Sequence, residues 1–303
     1  MVGYGLYGRS VTSLAVDPKG GVYLAVERGM LSYTDDWTEW KPLYRGIGHP
    51  DVYAVALDQR TEKLYAGTAP ATLYDSVNGG QDWVKSGETS SLSFHNGWSN
   101  PDPPHRPRLF RLICHPRMEN TLVGGVQAGG VIVSHDGGKS WRNQKAGLSH
   151  QLSDLRLHPE RPQRLYATNF LGFHRSDDLG QTWELSNAGL PYIDATALCV
   201  HGVDPDRLLM AVNHPTEPFS VLFRSANGGR NWQLACSELP VSEGGLITCL
   251  ESGGGVYFAG TESGYIFGSR DGSRWQLVRG ELPPVRTLLW VGEVASKSRR
   301  PLS

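Results

Sequence analysis

Five side chains in this chain have the chemistry for proton transfer or nucleophilic attack and fall in segments that read as loops or strand starts: Glu27, Asp154, Asp194, Glu262 and His214. Paired carboxylates cleave glycosidic bonds when roughly 5 to 10 Å separates them, one as general acid and the other as base or nucleophile. Asp51, Glu217 and Glu243 belong to the same pool. A second set suits a single divalent metal ion. Glu27 and Gln127 offer oxygen ligands of the kind Ca²⁺ or Mg²⁺ takes. His49, His150 and His214 would move the choice toward Mn²⁺, Fe²⁺ or Zn²⁺. A third set suits recognition. Arg9, Arg28, Arg108, Arg111 and Arg286 can bind anionic groups. Tyr192, Asn169 and Asn213 can bind polar ones, and Phe94 and Trp98 can stack on a sugar ring or another planar group.

These residues recur at fixed places in a repeat. Its marker is Ser134-His-Asp-Gly-Gly-Lys-Ser-Trp141. Equivalent boxes are Ser76-Val-Asn-Gly-Gly-Gln-Asp-Trp83, Ser176-Asp-Asp-Leu-Gly-Gln-Thr-Trp183 and Ser225-Ala-Asn-Gly-Gly-Arg-Asn-Trp232. Ser269-Arg-Asp-Gly-Ser-Arg-Trp275 is one residue short, and Tyr33-Thr-Asp-Asp-Trp-Thr-Glu-Trp40 is a worn copy. The Asp or Asn can close a turn on nearby N–H groups. The Gly supplies positive φ, and the Trp starts the next strand as a large aromatic plug. The box thus reads as a structural staple at a hairpin corner.

Box tryptophans follow one another at intervals of 43, 58, 42, 49 and 43 residues. Each repeat carries an inner strand such as Phe110-Arg-Leu-Ile-Cys114, often an Asp-Pro or His-Pro turn, and a second strand such as Leu165-Tyr-Ala-Thr168. A third strand runs into the box and a fourth starts at the Trp. A period in the forties with strand content predicts propeller blades. The expected fold is all-β: a single β-propeller of four-stranded antiparallel blades over 1–295, six in number, with seven as the alternative. Val285-Arg-Thr-Leu-Leu-Trp290 and Gly5-Leu-Tyr-Gly8 read as extra strand-like runs that meet at the ring's ends or belong to a seventh blade. The last residues, 296–303, read as a disordered tail.

The boxes resemble those of the BNR, or Asp-box, repeat β-propellers over nearly the whole chain. That superfamily includes sialidases, xyloglucan-cleaving glycosidases, sortilin-type receptor domains and photosystem II assembly factors. The resemblance implies boxes on the periphery, away from any catalytic centre. A sialidase would also carry an arginine triad and an Arg-Ile-Pro motif. The motif is absent, and nothing selects three among Arg9, Arg28, Arg111 and Arg286.

On a propeller, ligands gather at one mouth of the central channel. Loops leaving second strands there hold Glu27, Arg28, Gln127, Asn169, Asn213, His214 and Glu262. Loops entering inner strands hold Arg9, His49, Arg108, His150, Asp154, Tyr192 and Asp194. The connection over 86–108 is about fifteen residues longer than its counterparts, the kind of insertion that carries function. It carries Phe94 and Trp98 and is a candidate lid over that mouth. His115, His158 and His201 read as turn residues, and His135 and His174 as surface residues.

A net charge of −1 gives no drive toward nucleic acid or an anionic membrane. No apolar run reaches membrane-span length, and the start lacks the features of a secretory signal, so a cytoplasmic address is expected. Of the four cysteines, Cys114, Cys199 and Cys249 fall in predicted inner strands and Cys236 follows a box Trp; none shows CxxC spacing, and they read as buried free thiols. Three functions fit. The leading one is a channel-mouth site for a small polar or anionic ligand, carbohydrates included, with hydrolase or lyase chemistry. The second is a metal-dependent lyase or hydrolase. The third is a non-enzymatic assembly or interaction propeller with a protein partner.

Overall fold

The computed structural model describes residues 11–26, 30–36, 39–48, 51–89, 92, 98, 106–144, 146–149, 151–240 and 245–291. They form a six-bladed β-propeller with four antiparallel strands per blade in sequence order. The blades span 11–42, 52–88, 108–144, 154–185, 195–236 and 247–279. Their first strands are Val11–Val16, Val52–Asp58, Arg108–Cys114, Asp154–Leu157, Ala195–Val200 and Ile247–Gly253, and each packs on the next from blade one to blade six. No helix among the described residues is long and apolar enough to cross a membrane.

Burial peaks in the middle strands of each blade; first strands such as Val11–Val16 and Arg108–Cys114 are only partly buried. Second strands are covered on both faces, so Val22–Val26 and Leu165–Asn169 are buried at every residue. They read as near-continuous apolar and small runs, as strands buried on both faces do. Fourth strands form the rim, and Gln276–Arg279 is exposed throughout.

Among the described residues, five apolar clusters each fill the gap between two consecutive blades. The box tryptophans explain this. Trp83, Trp141, Trp183, Trp232 and Trp275 are all buried, each in the cluster its blade shares with the blade before it. The Trp is thus a plug between blades, not within its own hairpin as the motif suggested.

The box turns share one bonding pattern. Ser134 Oγ donates to Asp136 Oδ1 at 2.8 Å and accepts from the Gly138 N–H at 2.8 Å; Asp136 Oδ1 accepts from the Ser140 N–H at 2.9 Å. The same three bonds recur from Ser76, Ser176 and Ser225.

A second repeated device was not visible as such in the sequence. The linkers Ala146-Gly147 and Ala188-Gly189 each lay a carbonyl against the next blade's box. Ala146 O accepts from the Trp183 N–H at 2.9 Å, and Ala188 O from the Trp232 N–H at 2.8 Å. The following glycines have φ of 85° and 89°. A Cβ on them would lie 2.4 and 2.2 Å from the Trp carbonyl oxygens, so only glycine fits.

The C-terminal run 285–290, expected to be strand-like, forms no strand, and it lies along blade six. Thr196 Oγ1 donates to Ile247 O at 3.0 Å, tying inner strand five to inner strand six. Thr248 Oγ1 donates in the same way to Val285 O. Val285 therefore stands beside strand six as that strand stands beside strand five. Trp290 stacks on Phe258 at 5.8 Å and lies against Gly253 and Gly254.

Candidate functional site

Turns at the lower ends of the first strands are closed by their leading side chains. His115 Nδ1 accepts from the N–H groups of Arg117 and Met118, and His158 Nδ1 from those of Glu160 and Arg161. His201 does the same for Val203 and Asp204. His174, expected at the surface, is 2% exposed. It alternates with Phe173 and Arg175 on a third strand covered on both faces, so neither parity reaches solvent.

The ring interior holds a charge network around Asp154. Its Oδ1 lies 3.0 Å from Arg111 Nε and its Oδ2 3.2 Å from Arg156 Nε. The carboxylate also accepts from the N–H groups of Leu155 and Leu198, at 2.8 and 3.1 Å. Arg156 continues across the ring to Leu250 O at 3.0 Å and Glu251 Oε2 at 3.5 Å. Burial alone would raise the Asp154 carboxyl. The Arg111 and Arg156 guanidinia and the two N–H groups outweigh burial and hold it below the ordinary carboxylate range. Burial pushes Glu251 up, against the pull of Arg156. Asp154, one of the expected catalytic residues, is therefore a buried counter-ion to two arginines. The partners Arg156 and Glu251 were not among the residues singled out.

At the mouth between blades two and three, the Arg108 guanidinium lies over the Tyr53 ring at 5.1 Å, and its Nη1 is 3.4 Å from Gln127 Oε1. Asn169 is fully buried, with Oδ1 accepting from the Leu171 N–H at 2.8 Å. Asp194 accepts from Asn213 Nδ2 at 2.8 Å, and Asn213 Oδ1 in turn accepts from Ser220 Oγ. Glu262 is exposed, with Oε1 3.5 Å from the Leu246 N–H. Arg286 is exposed next to Val285. Trp98 is buried in the cluster between blades two and three, against Gly129, so its ring serves the core instead of stacking on a ligand. Arg9, Glu27, Arg28, His49, Phe94 and His150 lie outside the described residues, as do 90–91, 93–97 and 99–105 of the 86–108 connection. Among the described residues, no three His, Cys, Asp or Glu side chains group so as to hold a metal ion. All four cysteines are free, with Cys199 and Cys249 buried.

A further pair of the singled-out residues converges on a hollow. Tyr192 and His214 meet edge to face at 5.0 Å, and the His214 ring stacks on Phe219 at 5.0 Å. They line a hollow of about 600 Å³ with Leu190, Phe223 and Leu234, where the linker from blade four meets the outer strands of blade five. His214 Nδ1 accepts from the N–H groups of Thr216 and Glu217 at 3.4 and 3.2 Å. In the neutral ring this leaves Nε2 as the donor. The arrangement is an apolar slot with one imidazole N–H. It suits recognition of an aromatic or aliphatic group that carries an acceptor.

No family model matches this chain, and no curated protein matches it. Solved structures do. YCF48 bound to D1 peptide is 19% identical, with a TM-score of 0.66 over 89% of this chain and 81% of that one. An ancestral GH74 enzyme is 16% identical, with a TM-score of 0.66; 90% of this chain corresponds to 39% of that one. A catalytically inactive virginiamycin B lyase from Staphylococcus aureus with quinupristin is 12% identical, with a TM-score of 0.67 over 93% and 87% of the two chains. At these identities the likeness is one of fold, carried by enzymes and by a peptide-bound protein alike, and by fold the chain is a six-bladed β-propeller.

Proposed function

We propose that the protein is an interaction propeller that binds an extended peptide segment of a protein partner at the rim of blade five. The observation that carries this reading is the aromatic slot of Tyr192, His214 and Phe219. Leu234, 57% exposed, lies on its wall, and Ile193, 45% exposed, follows Tyr192. Exposed apolar groups around an aromatic hollow are the composition of protein-binding sites. A peptide side chain would fill the slot, and the His214 N–H would meet a main-chain carbonyl.

Two of the candidate carboxylates support the same reading. Asp154 is committed to Arg111 and Arg156, and Asp194 to Asn213. Neither resembles the free acid and base of a glycosidase. The resemblance to the BNR, or Asp-box, propellers accommodates this reading, since that group includes assembly factors and receptor domains. One of the similar structures, YCF48, is described with a peptide bound.

The test is a peptide array of extended sequences with one aromatic or aliphatic anchor, followed by fluorescence polarisation on the best binder. Tyr192→Ala and Phe219→Ala should each weaken that peptide about tenfold or more, as loss of a buried aromatic anchor does. Equal binding by the double variant, or turnover of a glycoside panel by the unmodified protein, would sink the proposal.

A further inference from the structure

The crevices between blades four and five and between blades five and six start from the same pair of arginines, and they end differently. Arg164 and Arg207 each stand immediately before the second strand of their blade; Arg175 and Arg224 each stand immediately before the box serine. The register is the same, with Leu165 opposite Ser176 and Leu208 opposite Ser225.

In the first crevice the two arginines are neutralised from within the protein. Asp177, the residue after the box serine, lies 2.7 Å from Arg175 Nη2 and also pairs with Arg164. Asp206, from the turn of blade five, lies 3.5 Å from Arg164 Nη1 and 3.0 Å from Arg161 Nη2. Arg175 Nη1 also donates to Gly228 O at 3.3 Å.

In the second crevice both carboxylates are missing. Ala226 follows the box serine where blade four has Asp177. Blade six pairs Tyr257 with its box Ser269, so Gly255 takes the place of Asp206. What remains is a hollow of about 330 Å³ lined by Arg207, Arg224, Asn231, Gln233, Tyr257 and Asp271, among others. Arg224 is exposed, and its guanidinium has no hydrogen-bond or ion-pair partner among the described residues. Arg207 uses Nε on Asp204 at 3.0 Å, which leaves its Nη groups available. Asn231 Oδ1 accepts from Asn227 Nδ2, so its own amide N–H₂ remains a donor. Asp271 is the acidic member of the wall. Its Oδ1 is taken up by the N–H groups of Ser273 and Arg274, at 2.8 Å each, and by Ser269 Oγ at 3.2 Å.

We infer that the crevice between blades five and six is a binding site for a small carboxylate-bearing molecule, whose carboxylate takes the place that Asp177 and Asp206 fill one blade earlier. The neighbouring crevice supplies the geometry: planar carboxylates set against the arginine forks. The volume suits a small di- or tricarboxylic acid rather than a macromolecule. The site is separate from the aromatic slot on the other side of blade five.

The test is calorimetric titration of the full chain with malonate at constant ionic strength, with inorganic phosphate as the comparison. Saturable malonate binding is expected. It should weaken about tenfold or more in Arg224→Gln, as loss of a charged hydrogen-bond donor does. Ala226→Asp is the sharper variant. It restores the internal carboxylate of blade four, so it should abolish malonate binding without lowering the thermal midpoint. No saturable binding, tighter binding of phosphate than of malonate, or binding that survives both substitutions would overturn the assignment.

Discussion

The guanidinium of Arg156, on the inner strand of blade four, donates to the carbonyl of Leu250, on the inner strand of blade six, at 3.0 Å. One side chain thus spans the ring past blade five, and Asp154 anchors it at its base. Replacing Asp154 with Asn would keep the shape and leave two half-buried to buried guanidinia without their counter-ion. A loss of about 3–5 kcal/mol is expected, as for other buried pairs broken on one side. Urea unfolding of Asp154→Asn against the parent at pH 7 measures it. The sign with pH follows from the lowered carboxyl. Its stabilisation is present above the unfolded-state value of about 4 and is lost as pH falls through the lower folded-state value. The difference between parent and variant should therefore shrink in acid, and a difference that stays constant down to pH 2 would show the charge to be irrelevant.

Glu251 should behave in the opposite sense. Burial raises its carboxyl, so the folded state holds this proton more tightly than the unfolded chain does. Its ionised form costs stability as pH rises through that window. Arg156 also keeps Asp154 and Leu250 O without it. Glu251→Gln should then lie within about 1 kcal/mol of the parent at pH 7, the scale of a single net hydrogen bond. A loss as large as that of Asp154→Asn would mean that the network has its anchor at blade six.

The glycine of each linker clasp is open to a direct test. Gly189→Ala places a methyl group at positive φ and 2.2 Å from Trp232 O. The linker must move, and the bond from the Trp232 N–H to Ala188 O goes with it. A loss of about 2–3 kcal/mol is expected from strain and the broken bond together. The same change at Gly130, also at positive φ but with open space around its Cβ, should cost about 1 kcal/mol, which separates backbone strain from the clash.

The fold was legible in the sequence because its signals are local and repeated. A box needs only eight consecutive residues, and its Ser, Asp and Gly bond to one another. The ring interior was not legible, because Arg156 and Glu251 are 95 residues apart and meet only once blades four to six have closed on the axis. Each looks like an ordinary strand residue in its own segment. His214 was singled out for its inserted loop, but it also closes a His-Pro turn, as His115 and His158 do. Its neighbours Tyr192 and Phe219 reveal the slot only in three dimensions. Trp98 is hidden for a related reason: an aromatic in a long polar connection looks exposed until blade three presents Gly129 to it.

The C-terminal run sets a last test, read through a thiol. Val285 stands beside inner strand six, where its side chain lies over Gly260 and Cys249, and Cys249 Sγ lies 3.6 Å from Val285 O. Burial pushes the Cys249 thiol up to about 12, and burial likewise raises Cys199. Neither should form the reactive thiolate in the folded protein at pH 8. An aromatic disulfide reagent should leave both unmodified in the native chain and reach all four thiols in guanidinium chloride. Ending the chain at Glu281 removes Val285 and Trp290 together and uncovers the outer side of strand six. Cys249 should then react in the folded, truncated protein while Cys199, between blades five and six, stays protected. Tryptic mapping of the labelled cysteine distinguishes the two. Unchanged protection of Cys249 would mean that something other than the 282–290 run covers inner strand six.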